Sequence, residues 1–190
     1  MIKTPLMMEF ENLTDMRDSI GVMVVSYGEI EFGLLRCVAV ALNDDFDTAT
    51  RILFRARGEA ARIDIADALV RPAFSRAGLG GKWSNAYGAA KTCKSIRNQY
   101  AHCHWFLELD GNVTFLDFDQ DAQQPDGTIQ LTRKAVSPEL VAEQLRYFEY
   151  CVGMLWHIEP EYRKRVKLKL AGESHEPKSV PAPRLYIQKN

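Results

Sequence analysis

The run Ile96-Arg97-Asn98-Gln99-Tyr100-Ala101-His102 sets an obligatory cation, an amide and a group that titrates near neutrality close together. On a helix Asn98 and His102 lie one turn apart and share a face, while Arg97 is offset but long enough to reach around it. A guanidinium binds phosphate through two parallel hydrogen bonds, an imidazole moves a proton near pH 7, and an amide orients either partner. Together these groups suit the cleavage of RNA without metal. A base would take the proton of the ribose 2′-hydroxyl, an acid would protonate the leaving 5′-oxygen, and arginine would stabilise the charge developing on phosphorus. One copy of the run offers one good proton-transfer group, whereas the reaction uses two, and a two-fold dimer would supply the second. The plainer alternative is that Arg97 and His102 serve the carbonyls at a helix C-terminus, a favourable place for cations.

The elements that must hold this run are mainly helical. From about Leu13 to Leu42 the positions Ile20, Val24, Tyr27, Leu34, Val38 and Leu42 recur at helical spacing, and Val22, Met23, Val25, Ile30, Phe32 and Leu35 widen the apolar surface beyond one stripe. Such a helix is central or shared with a second subunit. Glu31 falls among these apolar positions, so its carboxylate requires a partner, Arg97 or another buried cation. Asp47 or Thr48 is suited to cap a short helix with Ile52, Leu53 and Phe54. A further helix over Glu59 to about Val70 is expected to end or kink at Pro72, with Gly78, Gly80 and Gly81 opening a loop. Ser84 can cap the helix that carries Tyr87, Ala90, Cys93, Ile96 and Tyr100 and ends near His102.

The period then changes. Trp105, Leu107 and Leu109 alternate up to Asp110-Gly111, a hairpin signal, and Val113–Phe118 and Thr128–Thr132 follow as strands. Ser137-Pro138-Glu139 opens the last long helix with a hydroxyl cap, a proline in the first turn and a carboxylate at the positive end. Its apolar face is Leu140, Leu145, Phe148, Val152, Leu155 and Trp156, and Pro160 predicts a break. From Gly172 the proline-containing tail is expected to be extended.

Composition narrows the classes further. A chain of 190 residues with 46% hydrophobic content can bury a core without disulfides or metal, and its net charge of -1 argues against bulk electrostatic capture of nucleic acid. Cys37, Cys93, Cys103 and Cys151 form no CxxC pair, which fits a reducing, cytoplasmic setting, and no stretch reads as a membrane span. His102-Cys103-His104 with Cys93 nearby holds zinc-type ligands, but adjacent residues at a helix-to-strand junction diverge. The basic run Arg163, Lys164, Arg165, Lys167 and Lys169 could touch phosphates, but a solvated helix end is the preferred reading, and Arg51, Arg55, Arg57 and Arg62 could line a cleft or simply face water. Phosphate-binding glycine loops, recognisable Ser/His/Asp arrangements and paired carboxylates are not found.

Arg97-Asn98-Gln99-Tyr100-Ala101-His102 resembles the Arg, polar residue, short spacer and His pattern of the HEPN superfamily, closing a helix in an all-α setting. Tyr27-Gly28-Glu29-Ile30-Glu31 looks like the aromatic-Gly-x-aliphatic-Glu stretch in the first long helix of some HEPN-like bacterial proteins. The resemblance covers roughly residues 13 to 160. It implies a mainly α fold, an up-and-down helical bundle; the residues themselves add a small antiparallel insert at about 104–133 between the last two helices and a tail over 172–190, neither of them part of the family's common core, with a single domain expected over 1–171. It also implies a homodimeric, metal-independent endoribonuclease of a toxin-antitoxin or defence system. Arg97 and His102 would be catalytic, Asn98 would take the part of the polar residue, and Glu31, Tyr100 and His104 would support them. No cofactor or metal is called for. The expected partners are a second copy, an RNA substrate, and an antitoxin or nucleotidyltransferase. The same superfamily offers an alternative, a non-catalytic module that binds nucleotide, RNA or a partner protein.

Overall fold

The computed structural model describes residues 13–107, 113–118, 122, 133–168 and 174–188. They form five helices, α1 (Thr14–Ala41), α2 (Phe46–Arg55), α3 (Glu59–Arg76), α4 (Gly80–His102) and α5 (Pro138–Arg165), and four short strands, β1 (His104–Leu107), β2 (Val113–Leu116), β3 (Lys134–Val136) and β4 (Ile187–Gln188). The protein is therefore mainly α with a small antiparallel sheet, as its patterning predicts. The chain divides into two compact units, one from Met1–Val25, Ser95–Leu145 and Pro183–Asn190, the other from Ser26–Lys94 and Arg146–Ala182.

The second unit is built on helices, and its described residues hold no strand. Ile30, Leu34, Cys37 and Val38 of α1 are fully buried, as are Ala66, Val70 and Phe74 of α3, Trp83, Ala86 and Cys93 of α4, and Cys151, Leu155 and Ile158 of α5. Each large apolar side chain buried in this way contributes about 1.5–3 kcal/mol. Phe74 stacks on Tyr162 at 4.4 Å between centroids and tilts against Trp83 at 5.6 Å. The Trp83 indole keeps its polar end satisfied by donating to Asp67 Oδ1 at 2.8 Å. Gly33 lets α1 approach α5 closely, since a Cβ there would lie 2.8 Å from Leu155 Cβ.

Two helix ends in this unit share one local pattern. α1 closes with Asp44 N bonded to Ala39 O and Asn43 N to Val40 O, and α3 closes the same way, with Leu79 N on Phe74 O and Gly78 N on Ser75 O. The second residue after each helix adopts the left-handed region, Asn43 at φ 59° and Gly78 at φ 73°, which glycine and asparagine tolerate best. Gly80 and Gly81 thus do not form a loop with Gly78. They begin α4, and a Cβ on Gly80 would meet Ser75 Oγ at 2.8 Å. Ser84 lies inside α4, accepting from Arg71 Nη1 at 3.0 Å rather than capping. The cap of α2 is Asp45, not Asp47 or Thr48, and its carboxylate accepts from Thr48 N at 2.9 Å.

Neither proline ends its helix. α3 continues through Pro72 to Arg76 and α5 through Pro160 to Arg165. Each loses one backbone hydrogen bond, but the turns that follow bury Ala73 and Phe74 in one case and Tyr162 in the other, and this packing outweighs the local preference.

The first unit carries the sheet, with strand order β1-β2-β3-β4 and antiparallel pairing throughout. Trp105 of β1 lies between Tyr100 at 5.2 Å and Phe115 of β2 at 4.8 Å. The third strand is Lys134–Val136, so the sheet extends beyond the expected insert. The segment 128–132 and the Asp110-Gly111 turn lie outside the described residues. The proline-containing tail has neither helix nor strand over 174–184 and then supplies β4, pairing Ile187 with Ala135 and Gln188 with Lys134. Lys134 is buried because its ammonium lies over Tyr186 at 4.9 Å and Phe115 at 5.9 Å, with Asp117 at 4.0 Å. Ser137 caps α5 as its sequence predicts, accepting from Leu140 N at 3.2 Å.

Candidate functional site

The last turns of α4 divide the motif into two faces. Ile96, Gln99 and Tyr100 point inward, whereas Arg97 and Asn98 are half-buried and Ala101 and His102 are exposed. The division follows from the register. The apolar series Ala90, Cys93, Ile96 and Tyr100 is drawn into the core, which leaves Asn98 and His102 together on the outer side. Arg97 Nη1 donates to Asn98 Oδ1 at 3.0 Å, so the amide holds the guanidinium beside the turn that ends in the imidazole. These are the three residues the sequence nominates as catalytic, and all three lie in the last turns of α4.

The inward face has a different use. The Tyr100 hydroxyl donates to Gln144 Oε1 of α5, and the Gln144 amide donates to the carbonyls of Arg184 at 2.8 Å and Leu185 at 3.0 Å. Gln99 Nε2 donates to the same Leu185 carbonyl at 2.9 Å. Gln144 is fully buried, so a complete set of partners is what makes its amide tolerable. Burial pushes the Tyr100 phenol well above its usual pKa, keeping it protonated and donating. Tyr100 is thus a framework residue that fixes the motif turn against α5 and the chain from Arg184 onward. Gln144 is the residue that local reading misses. It lies 44 positions from Tyr100, and a polar residue on an otherwise apolar helix face was the one signal of it.

His104 opens β1 on the sheet face opposite Trp105 and is exposed. Its ring meets Phe118 edge-on at 5.6 Å and Phe106 at 6.0 Å. Glu31 belongs to the other unit, where it pairs with Arg62 at 2.6 Å, so its partner is the α3 arginine and not Arg97. Much of the basic sequence is likewise spent on structure. Arg163 binds Asp44 and Glu159, and Arg165 binds Glu161 and the carbonyls of Ala77 and Gly78.

Burial raises the thiols of Cys37 and Cys93 far above the ordinary range, and all four cysteines are free. The two thiols are therefore protonated packing groups rather than nucleophiles. Among the described residues no three His, Cys, Asp or Glu side chains gather closely enough to hold a metal ion, and no helix is long and apolar enough to cross a membrane. Compared with protein-family models, curated proteins and solved structures, the chain matches none.

Proposed function

We propose that this chain is a HEPN-type, metal-independent endoribonuclease that acts as a homodimer in a toxin or defence system. The observation that carries this reading is the outward turn of α4, where Arg97, hydrogen-bonded to Asn98, and the exposed His102 lie within one short helical segment. Arg97 binds the scissile phosphate and stabilises its developing charge, Asn98 orients the guanidinium, and His102 transfers the proton. Two copies supply the base and the acid. A face for the second copy is available on α1, where Gly21, Val22, Val25 and Gly28 are exposed, Val25 at 80%. Small and β-branched residues on one helix side allow close packing against a second helix.

The test is incubation of the purified protein with RNA in the presence of chelator, beside His102→Ala and Arg97→Ala at equal purity. The expected result is cleavage by the native chain and its loss in both variants. Cleavage that survives both substitutions, or that stops with chelator, overturns the assignment.

A further inference from the structure

The sheet of the first unit carries a second surface beside the motif, on the face away from Trp105. Along β1 that face holds His104 and Phe106, and the β1–β2 register sets them next to Leu116 and Thr114. Phe118 follows β2 by two residues and Arg133 immediately precedes β3, so strand alternation brings both to the same face. There the rings gather. His104 lies 5.6 Å from Phe118 and 6.0 Å from Phe106, and the Arg133 guanidinium lies over Phe106 at 5.7 Å. Thr114 and Leu116 are buried, whereas His104 and Arg133 are exposed, Phe106 is half-buried and Phe118 is 47% exposed. On its β1 side this face therefore shows rings and a cation to water.

An antiparallel sheet with one face packed on a core ordinarily turns polar side chains to solvent on the other. The packed face here is already supplied with rings, since Trp105 lies between Tyr100 and Phe115. His104, Phe106 and Phe118 are thus aromatic groups in excess of what that core uses. The charge around them is positive. Among the described residues of the strands and those next to them, the one carboxylate is Asp117, which faces the buried Lys134 at 4.0 Å on the packed side. The motif is also close by. His102 precedes His104 by two residues, which keeps their Cα atoms within about 7 Å of each other.

We infer that this face is a nucleobase-stacking subsite for single-stranded RNA, receiving a base on Phe106 and Phe118 with the backbone beside Arg133, and leading the strand toward Arg97 and His102. Aromatic rings accept the flat side of any base, and a guanidinium stacks on a base or meets a phosphate. Those flat sides are open only where bases are unpaired, so rings set among cations select a single strand over a duplex. The strand's path into the motif rests on the ribonuclease reading, whereas stacking of a base does not require that the chain cut.

The experiment is fluorescence anisotropy of a labelled mixed-sequence RNA of about 12 nucleotides with the full chain carrying His102→Ala, so that nothing is cut during the titration. The expected result is saturable binding of the single strand, about tenfold or more tighter than the same sequence as a duplex, whose bases are already stacked. Phe118→Leu, apolar and at a position half in water, should weaken the single strand about tenfold at an unchanged unfolding midpoint. Phe118→Trp should keep native affinity, because stacking needs a ring. Single-strand binding that is absent, equal to duplex binding or unmoved by Phe118→Leu overturns the proposal. So does conversion of an oligomer to a monomer by Phe118→Leu in light scattering, which would mean that a protein covers the face. Failure of the catalytic reading looks different: the native chain would leave RNA uncut while the ring-dependent binding persists, which supports the subsite.

Discussion

Replacing Gln144 by leucine tests whether the motif turn is held from within. The side chains are close in volume, so the main change is the loss of one acceptor and two donations. The Leu185 carbonyl keeps its bond from Gln99, but the Tyr100 hydroxyl and the Arg184 carbonyl are left without the partners seen here. Each orphaned buried group costs about 1–3 kcal/mol, and the apolar leucine returns part of that, so Gln144→Leu should destabilise by roughly 2–4 kcal/mol. Tyr100→Phe removes only the donor and should cost about 1–2 kcal/mol. The double variant should cost less than the sum by about 1 kcal/mol or more, because the phenylalanine has no hydroxyl to orphan. Urea denaturation followed by circular dichroism, with matching m-values, measures all three. Strict additivity, or single effects within about 0.5 kcal/mol of zero, would refute the claim that this network fixes the turn. A pH series adds an independent check. Burial raises the folded-state pKa of Tyr100 above that of the unfolded chain, so its contribution is complete below about pH 10 and is lost as the pH rises beyond it. Tyr100→Phe should lack that alkaline loss.

Glu159→Gln leaves the Arg36 guanidinium without its carboxylate at a site that is 1% exposed, while Arg163 keeps Asp44, and should cost about 3–5 kcal/mol in the same denaturation assay. The Asp45 carboxylate is held below its usual pKa by the Thr48 hydroxyl and N–H, so its capping of α2 is present above the unfolded value of about 4 and fades as the pH falls. The stabilities of native protein and Asp45→Ala should therefore converge in acid. If α1 carries the dimer contact, Val25→Lys should give a monomer by light scattering at micromolar concentration with the helical content of the native chain, because Val25 is 80% exposed and packs little in one copy.

Much of the fold can be read locally. The periodicity of α1 and the Ser137-Pro138-Glu139 start of α5 place those helices within a residue or two, and the change of period after His102 announces the sheet. The failures have a common cause. Pro72 and Pro160 do not break their helices because burial of Phe74 and Tyr162 beyond them decides the matter, and burial is not visible in a local window. Lys134 reads as a surface residue until Tyr186, far along the chain, arrives to cover its stem. The outward residues of the motif are legible from helical register alone, whereas their inner support at Gln144 is assembled from positions more than 40 apart in sequence.

The pairing of Gln99 and Gln144 with the carbonyls of Arg184 and Leu185 has a consequence in time. The closing turn of α4 is written near the middle of the chain, but the groups that lock it are made some 80 residues later. During synthesis Tyr100 can meet Gln144 once the start of α5 is made, but Gln99 waits through all of α5 and beyond for the Leu185 carbonyl. Closing so long a loop adds little free-energy penalty but delays the contact. The motif is thus among the last parts of the molecule to become rigid, and the nascent protein carries its Arg and His long before they are set in place.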